Sequence, residues 1–156
     1  MAFGIESFKK MEIPVPNDEE VLLVPRTLYW VNSRNGGWTD AILVLTDKGI
    51  HFRVRKDKIG YYPSFHNDTH SLLENTFLAY NRIKSYQRGS LLWANTYAIE
   101  MVDGCVLRFA FHKDMAKVTE ILNRLVQPDM PRDLTPYDYS SHHPEDVPHK
   151  MVPVGR

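Results

Sequence analysis

A single cysteine, Cys105, stands in 156 residues, so no disulfide can form within the chain. Its place between Gly104 and Val106, where an apolar stretch begins, marks it as a small buried hydrophobe rather than a reactive thiol. Net charge is missing too: nineteen Lys and Arg balance nineteen Asp and Glu. A dedicated nucleic-acid binder carries a basic domain, so nucleic acid is not an expected partner. No apolar run reaches the ~18 residues that a membrane-spanning helix needs. Glu6, Lys9, Lys10 and Glu12 interrupt the N-terminus, which therefore lacks the continuous apolar stretch of a signal peptide. Ala2 occupies the position that N-myristoylation reserves for glycine. The expected location is cytoplasmic, with peripheral membrane attachment as the alternative.

Signatures of catalysis are equally scarce. There is no G-x-S-x-G elbow, and Gly36-Gly37 is followed by neither phosphate-loop nor dinucleotide spacing. His66 and His70 have the i, i+4 spacing of a zinc motif, but Asn67 stands where that chemistry needs a glutamate base. His142, His143 and His149 are too sparse for a metal tract. No enzyme, cofactor or metal is expected.

What the chain does have is strand periodicity closed by one helix. Val21 to Val31 is rich in β-branched, leucine and aromatic residues, with Pro25 marking an edge or bulge. Trp38 to Thr46 reads as the next strand, and Asp47-Lys48-Gly49 turns it into Ile50 to Arg55. Strict alternation there predicts Ile50, Phe52 and Val54 inside and His51, Arg53 and Arg55 outside. Lys56 to Asn75 has no period and reads as a long loop. Short strands follow at Thr76 to Tyr80, Ile83 to Arg88 and Leu91 to Ala98. Ile99 to Phe111 reads as a hairpin turning at Asp103-Gly104. Helical spacing then puts Met115, Val118, Ile121, Leu122 and Leu125 on one face, with Asp114 at the N-cap. The division expected is an N-terminal segment over 1–18, a domain over 19–127, and a proline-rich extended or disordered tail over 128–156. Six prolines in that tail exclude helix interiors and central strands.

Leu43-Val44-Leu45-Thr46-Asp47-Lys48-Gly49-Ile50-His51-Phe52 resembles the L-x-L-T-x-x-x-I/L-x-F hairpin of GRAM domains and bacterial pleckstrin-homology-like domains. Leu78-Ala79-Tyr80-Asn81-Arg82-Ile83-Lys84-Ser85 resembles their following I-P-Y-x-x-I-x-S strand, with Ala79 in place of the proline. Ala98 to Met101 and Leu107 to Phe111 are similar to their last hairpin. The resemblance spans about Val21 to Val126. It implies a mostly β fold with one C-terminal helix, a pleckstrin-homology-like β-barrel in which a bent seven-stranded sandwich is capped by the helix. It also implies a non-catalytic binding module, a protein-interaction or adaptor domain, with binding of anionic, phosphoinositide-like lipid headgroups as the alternative and an uncharacterised enzyme as the second alternative.

Two groups of residues are candidates for that binding. Arg26, Arg34, Lys48, Arg53, Arg55, Lys56 and Lys58 form a basic stripe suited to gripping an anionic ligand or partner through charge-assisted hydrogen bonds. Tyr61, Tyr62 and Phe65 form an aromatic group in the long loop, suited to a membrane interface or a peptide. Leu134-Thr135-Pro136-Tyr137 is the expected contact segment of the tail.

Overall fold

The structure, a computed structural model, describes residues 12–25, 27–31, 37–54, 76–91, 94–111, 113–135 and 144–153. Its strands are β1 (Glu12–Pro16), β2 (Val21–Leu23), β3 (Thr27–Val31), β4 (Gly37–Thr46), β5 (Gly49–Val54), β6 (Thr76–Ala79), β7 (Ile83–Leu91), β8 (Ala94–Met101), β9 (Val106–Phe111) and β10 (His149–Pro153). Among the described residues one α-helix, α1 (Met115–Leu125), follows β9. Pro25 falls between β2 and β3, so the proline divides the expected strand in two. Ala94 to Met101 is one continuous strand rather than the end of one and the start of another. It turns back through Gly104, whose φ of 92° suits glycine, while Asp103 Oδ1 accepts the Cys105 N–H at 3.0 Å. Cys105 itself is half-buried against the core.

Eight strands form one antiparallel sheet in the order β6-β5-β4-β3-β9-β8-β7, with β2 pairing on β4. One face of the sheet carries the main core, in which Leu43, Leu45, Ile50, Phe52, Ile99, Leu107 and Phe109 are buried. Phe52 and Phe109 meet edge to face with ring centroids 5.2 Å apart, which ties β5 to β9 across the fold. α1 lays Met115, Val118, Ile121 and Leu122 into this core, as its spacing predicts. Tyr97 and Tyr86 fix the helix from the sheet side through hydrogen bonds to Thr119 and Asn123. Asp114 holds the N-cap position without a side-chain cap bond; its carbonyl accepts the Val118 N–H.

The mostly β class with one helix is as expected, but among the described residues the sheet does not close into a barrel. β6 has only four residues before the 3₁₀ turn Tyr80–Arg82. That turn is tied back to the β4–β5 corner, with Tyr80 N–H on the Lys48 carbonyl and Tyr80 O–H on the Thr46 carbonyl. β6 and β7 therefore part at the turn and end the path as its two outer strands.

The two ends of the chain meet. β10 pairs antiparallel with β1, matching Ile13 with Val152 and Val15 with Lys150. Ile13, Val15 and Val152 pack on Ile42 and Val44, which lie on the face of β4 opposite Leu43 and Leu45. This is a second, smaller apolar cluster. Parts of the expected N-terminal segment and of the expected extended or disordered tail thus form a ribbon over the outside of the β4–β5 hairpin, with 149–153 as strand. Pro14, Pro16 and Pro153 withdraw N–H donors from the ribbon, which favours a two-stranded sheet.

This second layer corrects one expectation directly. Ile50 and Phe52 are inside, but His51 is also buried, at 1% exposure. Period-two alternation assigns one face of β5 to solvent; here that face lies under residues from both ends of the chain. The side chain of Val54 lies outside the described residues.

Candidate functional site

The face of the β4–β5 hairpin away from the main core holds a buried polar cluster centred on Glu19. Residues 17–20 turn directly after β1, and Asn17 N–H on the Pro148 carbonyl holds that turn to the tail. Glu19 Oε1 accepts the Thr46 hydroxyl at 2.6 Å and lies 2.8 Å from His51 Nε2. A carboxylate only accepts, so Nε2 is the protonated nitrogen of that contact. Thr46 Oγ1 in turn accepts the N–H groups of Lys48 and Gly49, closing the corner. Lys150 Nζ donates to the Glu19 carbonyl at 2.8 Å, which brings β10 to the same residue. Phe77 covers the imidazole with ring centroids 4.5 Å apart. Gly49 is required here: a Cβ on it would stand 2.5 Å from the Leu78 carbonyl.

Carboxylate, imidazole and hydroxyl make a familiar set, but the imidazole does not stand between Glu19 and Thr46. In a catalytic triad the imidazole stands between carboxylate and hydroxyl. Here Thr46 and His51 both approach the same carboxylate oxygen, and the threonine proton points at Glu19. The cluster joins the 17–20 turn, the β4–β5 corner and the tail strand. Glu19→Ala should cost about 1.5–3 kcal/mol, because buried partners lose a charged acceptor; chemical denaturation with Thr46→Val alongside measures it.

Tyr80 borders the cluster. Burial, and after it the nearby Asp47 and Glu19 charges, push its phenol well above the usual tyrosine range. The protonated form is the one that donates to Thr46, so its stabilisation is complete below the unfolded pKa near ~10 and is lost as pH rises beyond it. Tyr80→Phe should be less stable at pH 7 and show a smaller loss of melting temperature between pH 9 and 11.

A second cluster holds the segment after α1. The Arg82 guanidinium meets Asp133 at 3.2 Å and donates to the Thr135 carbonyl. Arg132 donates to the carbonyls of Ile83, Met130 and Gln127. Asp133 accepts the Thr135 hydroxyl and N–H, and these bonds, with the Arg82 charge, hold its carboxyl below the usual carboxylate range. The backbone over 130–135 is thereby fixed although it is neither helix nor strand. Leu134 projects from it at 74% exposure.

Of the basic stripe, Lys48 is exposed at the β4–β5 corner, while Arg53 is half-buried with Nη2 on the Glu12 carbonyl at 2.7 Å. They stand at opposite ends of β5, separated by roughly 16 Å of strand, and do not converge. Arg26, Arg34, Arg55, Lys56, Lys58, Tyr61, Tyr62 and Phe65 lie outside the described residues, as do His66 and His70. No local pattern in the sequence marks Glu19, because its partners Thr46 and His51 lie 27 and 32 residues away. Arg82 and Asp133 are 51 residues apart, and nothing local links them. Among the described residues, no group of three or more His, Cys, Asp or Glu is placed to hold a metal, and no helix is long and apolar enough to cross a membrane. Compared with known proteins, the chain matches no family model and no curated sequence.

Proposed function

We propose that the chain is a non-catalytic binding module of the pleckstrin-homology-like or GRAM-like kind, serving as a protein-interaction or adaptor domain. The observation that carries this reading is Leu134: a large apolar side chain, 74% exposed, on a backbone fixed by Arg82, Arg132 and Asp133. A pre-ordered backbone loses little entropy when a partner takes up the side chain it presents. The buried polar groups support the same reading, since Glu19, His51 and Arg82 all hold the fold together. Lipid binding through the basic stripe is the competing reading. Arg53 weakens it, because one arm of its guanidinium is engaged by the Glu12 carbonyl.

The test compares the full chain with Leu134→Asp in two assays. Immobilised full chain should retain a set of proteins from its own cell extract that Leu134→Asp does not retain. Neither should sediment with vesicles containing phosphatidylserine and a phosphoinositide. Vesicle binding that weakens as salt shortens the Debye length from ~10 Å at 0.1 M to ~3 Å at 1 M would replace this reading with lipid attachment. Identical protein capture by both chains would remove Leu134 from it.

A further inference from the structure

We propose that Thr135 is a phosphorylation site for a proline-directed kinase, with the buried Arg82 guanidinium as the counter-charge that receives the phosphate. Three independent observations meet at this residue. First, Thr135 is the one serine or threonine in the sequence followed by proline. Proline disfavours helical backbone at the residue before it, which leaves Thr135 in the extended range that a kinase cleft accepts. Second, Thr135 is exposed, and residues 127–135 are neither helix nor strand, so no regular element must unfold to present the hydroxyl. Third, Thr135 Oγ1 lies 3.4 Å from Arg82 Nη1, on a side chain that is itself only 5% exposed. Desolvated arginine beside a hydroxyl is a ready partner for the phosphate dianion.

The transfer is balanced by a nucleoside triphosphate. Thr135 Oγ1 attacks the γ-phosphorus, the bond to the β–γ bridging oxygen breaks, and the nucleoside diphosphate leaves. The hydroxyl proton passes to the carboxylate base of the kinase. The product cannot keep the present geometry, because the hydrogen that Thr135 donates to Asp133 is gone and a dianion stands beside that carboxylate. Arg82 Nη1, now 3.2 Å from Asp133 Oδ2, passes to the phosphate. Asp133 is released, and with it the Asp133 N–H bond to the Asn81 carbonyl. Phosphorylation would thus change how the segment bearing Leu134 is held.

The experiment incubates the full chain with a proline-directed serine/threonine kinase and magnesium ATP, with a peptide of residues 129–141 in parallel to report kinase competence. Tandem mass spectrometry should place phosphate on Thr135 of the full chain and none there in Thr135→Ala. Amide hydrogen exchange over 127–135 should become several-fold faster in the phosphorylated chain. A peptide phosphorylated while the full chain is not would show that the folded segment shields Thr135, and would overturn the site. Failure of both would remove the recognition on which it rests. Phosphate at Thr135 with unchanged exchange would overturn the transfer of Arg82 from Asp133.

Discussion

A chain ending at Pro128 should still unfold cooperatively, but with a midpoint on the order of 10–20 °C below that of the full chain. Its main core, from Ala41 to Val126, is complete without the tail, which is why folding survives. What it loses is β10 and the segment 129–135. Val152 no longer covers Ile13, and Ile42 and Val44 are re-exposed in part. Lys150 leaves the Glu19 carbonyl, and Arg82 loses Asp133 and Thr135. Re-exposing the equivalent of two aliphatic side chains at ~1.5–3 kcal/mol each sets the loss at about 3–6 kcal/mol. Calorimetry on both chains measures it. An unchanged midpoint would mean that the ribbon adds nothing to stability.

Leu122→Ala should destabilise by about 2–5 kcal/mol, the range for truncating a fully buried leucine. Leu122 is 0% exposed, and its helix reaches the sheet through a single apolar face. The cavity would open beneath α1, where the neighbouring buried residues Val118, Ile121 and Val126 cannot all move in to fill it. Urea denaturation should show an earlier midpoint with an unchanged slope. A loss below about 1 kcal/mol would mean that the helix end packs more loosely than its burial indicates.

Most strands and the helix were legible because each has a local signal. Ile50-His51-Phe52-Arg53 alternates, Asp103-Gly104 turns, and Met115 to Leu125 repeats at helical spacing. The ribbon was not legible. Glu12 to Pro16 carries two prolines and His149 to Pro153 carries one, so neither reads as a strand, and their pairing joins positions 137 residues apart. From this one omission followed the error at His51. Alternation shows which residues share a face, but not whether a distant segment covers the other face. For the candidate site, Lys48 and Arg53 could be named from charge and strand position. That Arg53 meets a backbone carbonyl depends on β1, which the sequence kept apart from the domain. Leu134 was legible within the expected contact segment, Leu134 to Tyr137, but its exposure was not. That depends on Arg82, which belongs to the turn before β7.

The strands β1 and β10 pair over the outside of the β4–β5 hairpin. Nuclear Overhauser contacts in a methyl- and amide-labelled full chain test this pairing most directly. Cross-strand contacts between Ile13 and Val152 and between Val15 and Lys150, with methyl contacts from this pair of strands to Ile42 and Val44, are the predicted result. Residues 149–153 with random-coil shifts and no contact to residues 12–16 would contradict it.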